Sequence, residues 1–221
     1  MKPIRLEIEG LNSYSKKQVI DFETLISKGI FGIFGKTGSG KSTILDAITL
    51  SLYGNIARGT KEFINSNSEK ASIEYEFQIG DGADRNTFIV SRRFKRSSGA
   101  SKTSSRSDYV RLIKKDETGN TIVIADRVGD VNQAIKEIIG LEESDFLKSV
   151  VLPQGKFSEF LTLGGKDRRN MLERIFNLEE YGSLLTSKII KKRNIISGEL
   201  EVLKGRLSEY SSVTDESIGD L

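Results

Sequence analysis

Gly35-Lys36-Thr37-Gly38-Ser39-Gly40-Lys41-Ser42 matches G-x-x-x-x-G-K-[ST], and no other stretch of the chain narrows its fold as far. Glycines let such a loop wrap a phosphate closely, so that successive backbone N–H groups converge on its oxygens. The helix that follows adds its positive N-terminal end. Lys41 supplies a point charge at the β- and γ-phosphates, Ser42 Oγ a ligand for Mg²⁺, and Thr43 an N–H and a hydroxyl within reach of the α-phosphate. The pattern also arises by chance as a Gly/Ser-rich turn, so context decides. Upstream, Gly29-Ile30-Phe31-Gly32-Ile33-Phe34 is short and continuously apolar, as expected of a strand buried on both faces of a parallel sheet. Downstream, Lys41 to Tyr53 carries apolar residues on nearly every side, as expected of a covered central helix. In that setting Gly35 to Thr43 is an ATP-binding loop, with Lys41 as its catalytic cation.

What else the site can use is limited by composition. The 221 residues contain no Cys and no His. Disulfides, thiolate nucleophiles, Cys/His zinc sites and His-based acid–base catalysis are therefore excluded. Chemistry must run on Lys, Ser/Thr, carboxylates, amides, backbone N–H groups and Mg²⁺. No stretch approaches the roughly 18 uninterrupted apolar residues of a membrane span, and the polar N-terminus lacks a signal-peptide core. The cytoplasm is the default compartment, and no membrane partner is expected.

The formal net charge of +3 hides a local excess. Between Arg92 and Lys115 stand Arg92, Arg93, Lys95, Arg96, Lys102, Arg106, Arg111, Lys114 and Lys115, against the single acid Asp108. That segment carries +8 and leaves −5 on the rest. Its Ser-rich centre, Ser97 to Ser105, reads as a loop. Such a segment is either a solvated hairpin kept soluble by its charge or a surface that contacts a DNA backbone by releasing counterions. On the second reading Arg92, Arg93, Lys95, Arg96, Lys102 and Arg106 are the DNA-binding candidates.

The remaining elements follow from periodicity. Ile4, Leu6 and Ile8 alternate with charged residues as in a half-buried strand, and Val19-Ile20-Asp21-Phe22 is its hairpin partner. Ile73 to Ile79, Phe88 to Phe94 and Tyr109 to Ile113 make an antiparallel meander. Asp130 caps a helix whose Val131, Ala134, Ile135, Ile138 and Ile139 share one face, closed by Gly140. From Lys166 onward the apolar positions keep helical spacing. Leu185, Ile189, Ile196, Leu200, Leu203, Leu207 and Tyr210 fall near a 4-3 heptad, either an ordinary amphipathic helix or the start of a coiled coil. The pattern dissolves at Ser211, where a longer helix is expected to be under way.

Phosphoryl transfer also needs a carboxylate near Mg²⁺ and a group that orients water. Thr121-Ile122-Val123-Ile124-Ala125-Asp126 looks like an apolar strand ending in an acid, but Arg127 follows where a second acid is wanted. It reads better as an edge strand. Leu161-Thr162-Leu163-Gly164-Gly165 is faintly similar to the LSGG signature of ABC-type ATPases, with its glycines out of register. Neither completes the site.

Several segments together resemble one family. Ile4-Arg5-Leu6-Glu7-Ile8-Glu9-Gly10-Leu11-Asn12-Ser13-Tyr14, Ile20-Asp21-Phe22 and the P-loop through Ile48 are similar to SMC-like ATPases. Val151-Leu152-Pro153-Gln154-Gly155-Lys156-Phe157-Ser158-Glu159-Phe160-Leu161 resembles the Q-loop of the bacterial SbcC family, the ATPase subunit of a DNA-end-processing exonuclease. The resemblance implies an α/β P-loop NTPase fold: an ABC-type ATPase lobe with an antiparallel β-meander, its C-terminal helices leading into a coiled coil. Residues 1–165 would be the N-terminal half of the head, and 166–221 the root of the coiled coil. It implies that Gln154 reaches Mg²⁺ and the attacking water, and that Asn65, in Ile64-Asn65-Ser66, nears the ATP. It implies four partners: a C-terminal half of the same protein bearing the missing carboxylates, a second head joined through ATP, an SbcD-like nuclease subunit, and DNA. It further implies a cytoplasmic, nucleoid-associated setting. Some relatives have a basic residue where Asn12 stands and Asn where Thr37 stands.

Three other readings compete. A chromosome-clamping SMC protein would share the fold but lack the nuclease. An ABC transporter motor is disfavoured by the step of 113 residues from Lys41 to Gln154. A self-contained P-loop kinase would need its own carboxylate, for which Asp126 is the only support.

Overall fold

The computed structural model describes residues 1–26, 29–56, 60–80, 82–98, 103–116, 119–151, 162–176, 178 and 181–209. The chain divides into two compact units, Met1–Leu163 and Gly164–Leu221.

The first unit is built on a six-stranded antiparallel sheet in the order β2-β1-β3-β4-β5-β6. Its strands are β1 (Lys2–Glu9), β2 (Gln18–Asp21), β3 (Lys70–Ile79), β4 (Asn86–Ser98), β5 (Thr103–Lys115) and β6 (Thr121–Ala125). The period-2 pattern sets one face inward. Leu6, Ile8, Ala71, Ile73, Tyr75, Phe77, Val90, Phe94, Val110 and Leu112 are all buried, while the glutamates that alternate with them are not. The long β4–β5 hairpin carries the basic segment, with Lys95 paired to Arg106 and Arg96 to Ser105.

Helices cover the inner face. After α1 (Phe22–Ile26) comes α2 (Lys41–Tyr53), in which ten of thirteen residues are buried. It ends at Gly54, whose left-handed φ of 78° lets its N–H donate to the Leu50 carbonyl. α3 (Val128–Ile139) buries Val131 and Ile135, and α4 (Glu143–Ser149) follows. Tyr53 ties α2 to this layer: its hydroxyl donates to the Leu141 carbonyl at 3.0 Å, and its ring lies 5.4 Å from that of Phe146.

Two expectations change. The cap position of α3 is Arg127 rather than Asp130, which lies in the first turn and meets the helix dipole there instead. More consequentially, Gly29 to Phe34 is not a buried strand. It is irregular and exposed, with Ile30 at 89% and Phe34 at 93%. The reason is topological. A strand apolar on both faces needs hydrogen-bonding neighbours on both sides. The sheet described here has β2 and β6 as its edges and offers this segment none.

The second unit is helical, with α5 (Gly165–Ile175) and α6 (Ser183–Glu209). α6 runs 27 residues, keeps Gly198 and Gly205 inside it, and leaves Leu185, Ile189, Ile196, Leu200, Leu203 and Leu207 exposed. Tyr210 lies outside the described residues.

Candidate functional site: the P-loop and the basic hairpin

The P-loop joins the exposed segment to the N-terminus of α2. Gly38 and Gly40 take φ values of 84° and 93°, which L side chains rarely adopt. A Cβ on Gly40 would lie 2.9 Å from the Tyr14 ring, and one on Gly35 would lie 2.8 Å from Ser39 Oγ. Gly40 is thus held by both backbone conformation and space, and Gly38 by conformation alone. Lys41 folds over the loop, its Nζ donating to the carbonyls of Gly35 at 2.7 Å and Lys36 at 2.8 Å. Gly35 through Ser39 are open to solvent, as is Ser42 in the first turn of α2, whereas Thr43 is buried with its N–H bonded to the Gly40 carbonyl.

This cradle fits a nucleoside triphosphate. The loop passes through two left-handed glycines, Gly38 and Gly40, and ends at the positive end of a thirteen-residue helix. Lys41 supplies the cation and Ser42 an outward hydroxyl. Among the described residues no group of three or more carboxylates could hold a metal by itself. Mg²⁺ suits the site on other terms: it binds through one or two protein oxygens plus substrate phosphates. Gln154 and Lys102 lie outside the described residues.

The walls of the site were not legible as such in the sequence. The turn after β1 presses on the P-loop from one side. Ser13 Oγ donates to the Gly38 carbonyl at 3.1 Å, and Tyr14 fills the space in front of Gly40. Burial raises the Tyr14 phenol above its ordinary value and keeps it neutral. Asn12, at a φ of 44°, bends this turn. Asn65 sits behind it: its N–H donates to Gly10, its side-chain amide donates to the Asn12 carbonyl, and the Asn12 N–H donates to Phe63 at 2.8 Å. The structure therefore brings Asn65 to the wall of the P-loop rather than onto the loop itself.

The basic residues separate into different roles. Arg92 is 2% exposed and does not belong to any surface. Its Nε donates to the Ser51 carbonyl at 2.6 Å, and its Nη2 donates to Leu52 at 2.9 Å and to Asn132 at 2.6 Å. It ties the last turn of α2 to β4 and α3, where a cation also meets the negative end of the helix. Desolvation lowers its pKa to about 10, still cationic at neutral pH. On the surface, Arg93 and Lys95 share Asp108, at 2.8 and 2.6 Å. The hydrogen bond from Lys95, with Arg93 beside it, holds the Asp108 carboxyl below the usual carboxylate range. Arg93 and Arg111 flank the Tyr109 ring at 5.4 and 5.7 Å. Arg106 is exposed. Arg96 turns inward toward residues 62–65. An open cleft of about 490 Å³ beside it is lined by Ser66, Asn67, Ser68, Glu69, Lys70, Lys95 and Arg96.

Comparison with known proteins adds the following. The family model described as "AAA domain" matches residues 5–212. The SbcC component of the SbcCD nuclease from Clostridium acetobutylicum is 47% identical over 216 residues, covering 98% of this chain and 18% of the relative. The protein of the same name from Bacillus subtilis is 42% identical, covering 96% of this chain and 19% of the relative. The chain thus spans about a fifth of the length of the curated relatives it matches. Among solved structures, the Smc head domain with an extended coiled coil from Pyrococcus furiosus superposes with a TM-score of 0.59 at 21% identity, covering 99% of this chain and 53% of that one. That likeness is one of fold.

Proposed function

Because the chain belongs to the AAA domain family, we propose that it is the ATP-binding half of an SbcC-like DNA-repair ATPase, in which ATP-driven engagement of two heads governs the access of a nuclease partner to double-strand DNA ends. The observation that carries this is the P-loop itself: two glycines in left-handed conformations, a lysine folded over the loop carbonyls, and a serine at the mouth of a buried helix. Gly35 to Thr43 bind the triphosphate, Lys41 neutralises its charge, and Ser42 with Gln154 holds Mg²⁺. Bound there, Mg²⁺ neutralises charge on the phosphates and orients them for attack.

The partners follow from what the first unit leaves open. Ile30 and Phe34 are fully exposed beside the P-loop, and burying such side chains is worth roughly 1.5–3 kcal/mol each. A C-terminal half of the same protein supplies the strands that flank this run, together with the carboxylates the site lacks. A second head closes over the ATP, an SbcD-like nuclease joins the assembly, and α6 continues as a coiled coil. Arg93, Lys95, Lys102 and Arg106 meet DNA phosphates, in a cytoplasmic, nucleoid-associated complex. The high similarity to SbcC sequences favours this over a chromosome-organising SMC ATPase, whose likeness here is one of fold.

Equilibrium binding of a fluorescent ATP analogue with Mg²⁺ tests the central assignment. Lys41→Ala lowers affinity at least tenfold while leaving the melting transition in place. Equal affinity in both proteins overturns it.

A further inference from the structure

The loop from Gly35 to Thr43 holds two lysines and no acid. The structure uses the two differently. Lys41 turns its ammonium back on the loop, donating to the carbonyls of Gly35 at 2.7 Å and Lys36 at 2.8 Å. Lys36 is held by its backbone instead. Its carbonyl accepts from Lys41 Nζ and, closing the turn through Thr37 and Gly38, from the Ser39 N–H at 3.2 Å. On the far side of that turn the Gly38 carbonyl accepts from Ser13 Oγ at 3.1 Å. The carbonyls of Gly35, Lys36 and Gly38 are thus all tied down, and the root of the Lys36 side chain with them. The side chain itself is exposed, and among the described residues it makes no hydrogen bond and no ion pair. The next acid along the chain, Asp46, is buried within α2. Nothing in the loop neutralises this second ammonium.

We propose that Lys36 is a specificity-determining residue of the nucleotide site: its ammonium meets the γ-phosphate and makes the loop prefer a nucleoside triphosphate to a diphosphate. The inference rests on the reading of the P-loop as an ATP site and adds to it the role of one side chain. Position argues for the γ end. Lys41 Nζ, the group assigned to the β- and γ-phosphates, lies 2.8 Å from the Lys36 carbonyl. Thr43, assigned to the α-phosphate, lies at the other end of the loop, buried in the first turn of α2. Charge gives the sign. A diphosphate lacks the γ-phosphoryl group, so a cation at that end loses its partner, while the N–H groups around the remaining phosphates keep theirs. A lysine suits this task, because its ammonium is a compact point charge on a flexible stem and needs no fixed fork.

The test measures equilibrium binding of a fluorescent non-hydrolysable ATP analogue and of the matching ADP analogue, each with Mg²⁺. It is run in about 1 M salt, where screening confines the effect of a charge to about 3 Å and a long-range field no longer contributes. In Lys36→Gln the affinity for the triphosphate falls roughly tenfold, the size of one hydrogen bond between charged groups, while that for the diphosphate stays within about twofold. Lys36→Arg keeps the charge and restores the triphosphate affinity to within about threefold of the unsubstituted chain. Equal losses for both nucleotides in Lys36→Gln, or no loss for either, overturn the role of Lys36. A loss in Lys36→Arg as large as that in Lys36→Gln overturns the charge as its cause. An unsubstituted chain that binds neither nucleotide sinks the ATP reading and the inference with it. One that binds both with equal affinity sinks the inference alone.

Discussion

Arg92 shows how far single residues can be read from the sequence. It stands in a run of basic residues, and by composition it joins the others as a surface charge. By phase it does not: Phe88, Val90, Arg92 and Phe94 all occupy the inward positions of β4, and the structure buries all four. Period-2 alternation thus contained the correct placement, and the charge tally overrode it. What no pattern could supply was the reason an arginine is tolerated there, namely carbonyls at the end of a helix forty residues away in sequence. Two buried phenols carry a prediction at this scale. Desolvation raises the pKa of Tyr75, and that of Tyr53 with help from Glu143, Asp145 and Glu142, well above the ordinary tyrosine value. A group whose folded-state pKa is raised contributes stability that is complete below its unfolded pKa, near 10, and is lost as pH climbs toward the folded one. Urea midpoints should therefore hold steady to about pH 9.5 and fall above pH 10, and Tyr75→Phe should flatten that fall. An unchanged alkaline slope in Tyr75→Phe would refute the assignment.

Elements divide into those that meet their own pattern within the described residues and one, Gly29 to Phe34, that does not. β1, β2, the meander, the P-loop helix and α3 were legible because each satisfies its own pattern locally: alternation for the strands, all-round apolarity for α2, one apolar face and Gly140 for α3. The P-loop motif was legible because Gly40, directly before Lys41, sits where the backbone needs a left-handed φ. Gly29 to Phe34 carried an equally clear pattern and does not form the strand expected. Its apolarity describes an environment that this sheet cannot provide. The walls of the site were illegible for the opposite reason, since Ser13, Tyr14 and Asn65 act through tertiary contacts that leave no periodic trace. A pair of substitutions separates these cases. Ile30→Ser with Phe34→Ser should leave the urea stability of this chain within about 0.5 kcal/mol, as substitutions at exposed sites generally do. The same pair should abolish copurification with a coexpressed C-terminal half. Destabilisation of the chain alone by roughly 2 kcal/mol or more would mean that the segment packs within the first unit.

For the molecule as a whole, the first unit reads as half of a catalytic centre. It has a glycine loop, a lysine folded over that loop's carbonyls and an exposed serine, the groups that the proposed ATP and Mg²⁺ would meet, with the turn after β1 bonded to the loop through Ser13. Among the described residues it lacks a cluster of carboxylates to go with them. Phosphoryl transfer is positioning plus charge stabilisation, so on the proposed reading a cradle without its carboxylate near Mg²⁺ binds its nucleotide and stops there. The most direct measurement is Mg²⁺-dependent ATP turnover by this chain alone, beside Lys41→Ala. The account predicts that nucleotide is bound and that turnover does not exceed that of the variant. Turnover abolished by Lys41→Ala would mean a complete site within this chain, with Asp126 as the carboxylate to examine next, and would contradict the half-site reading.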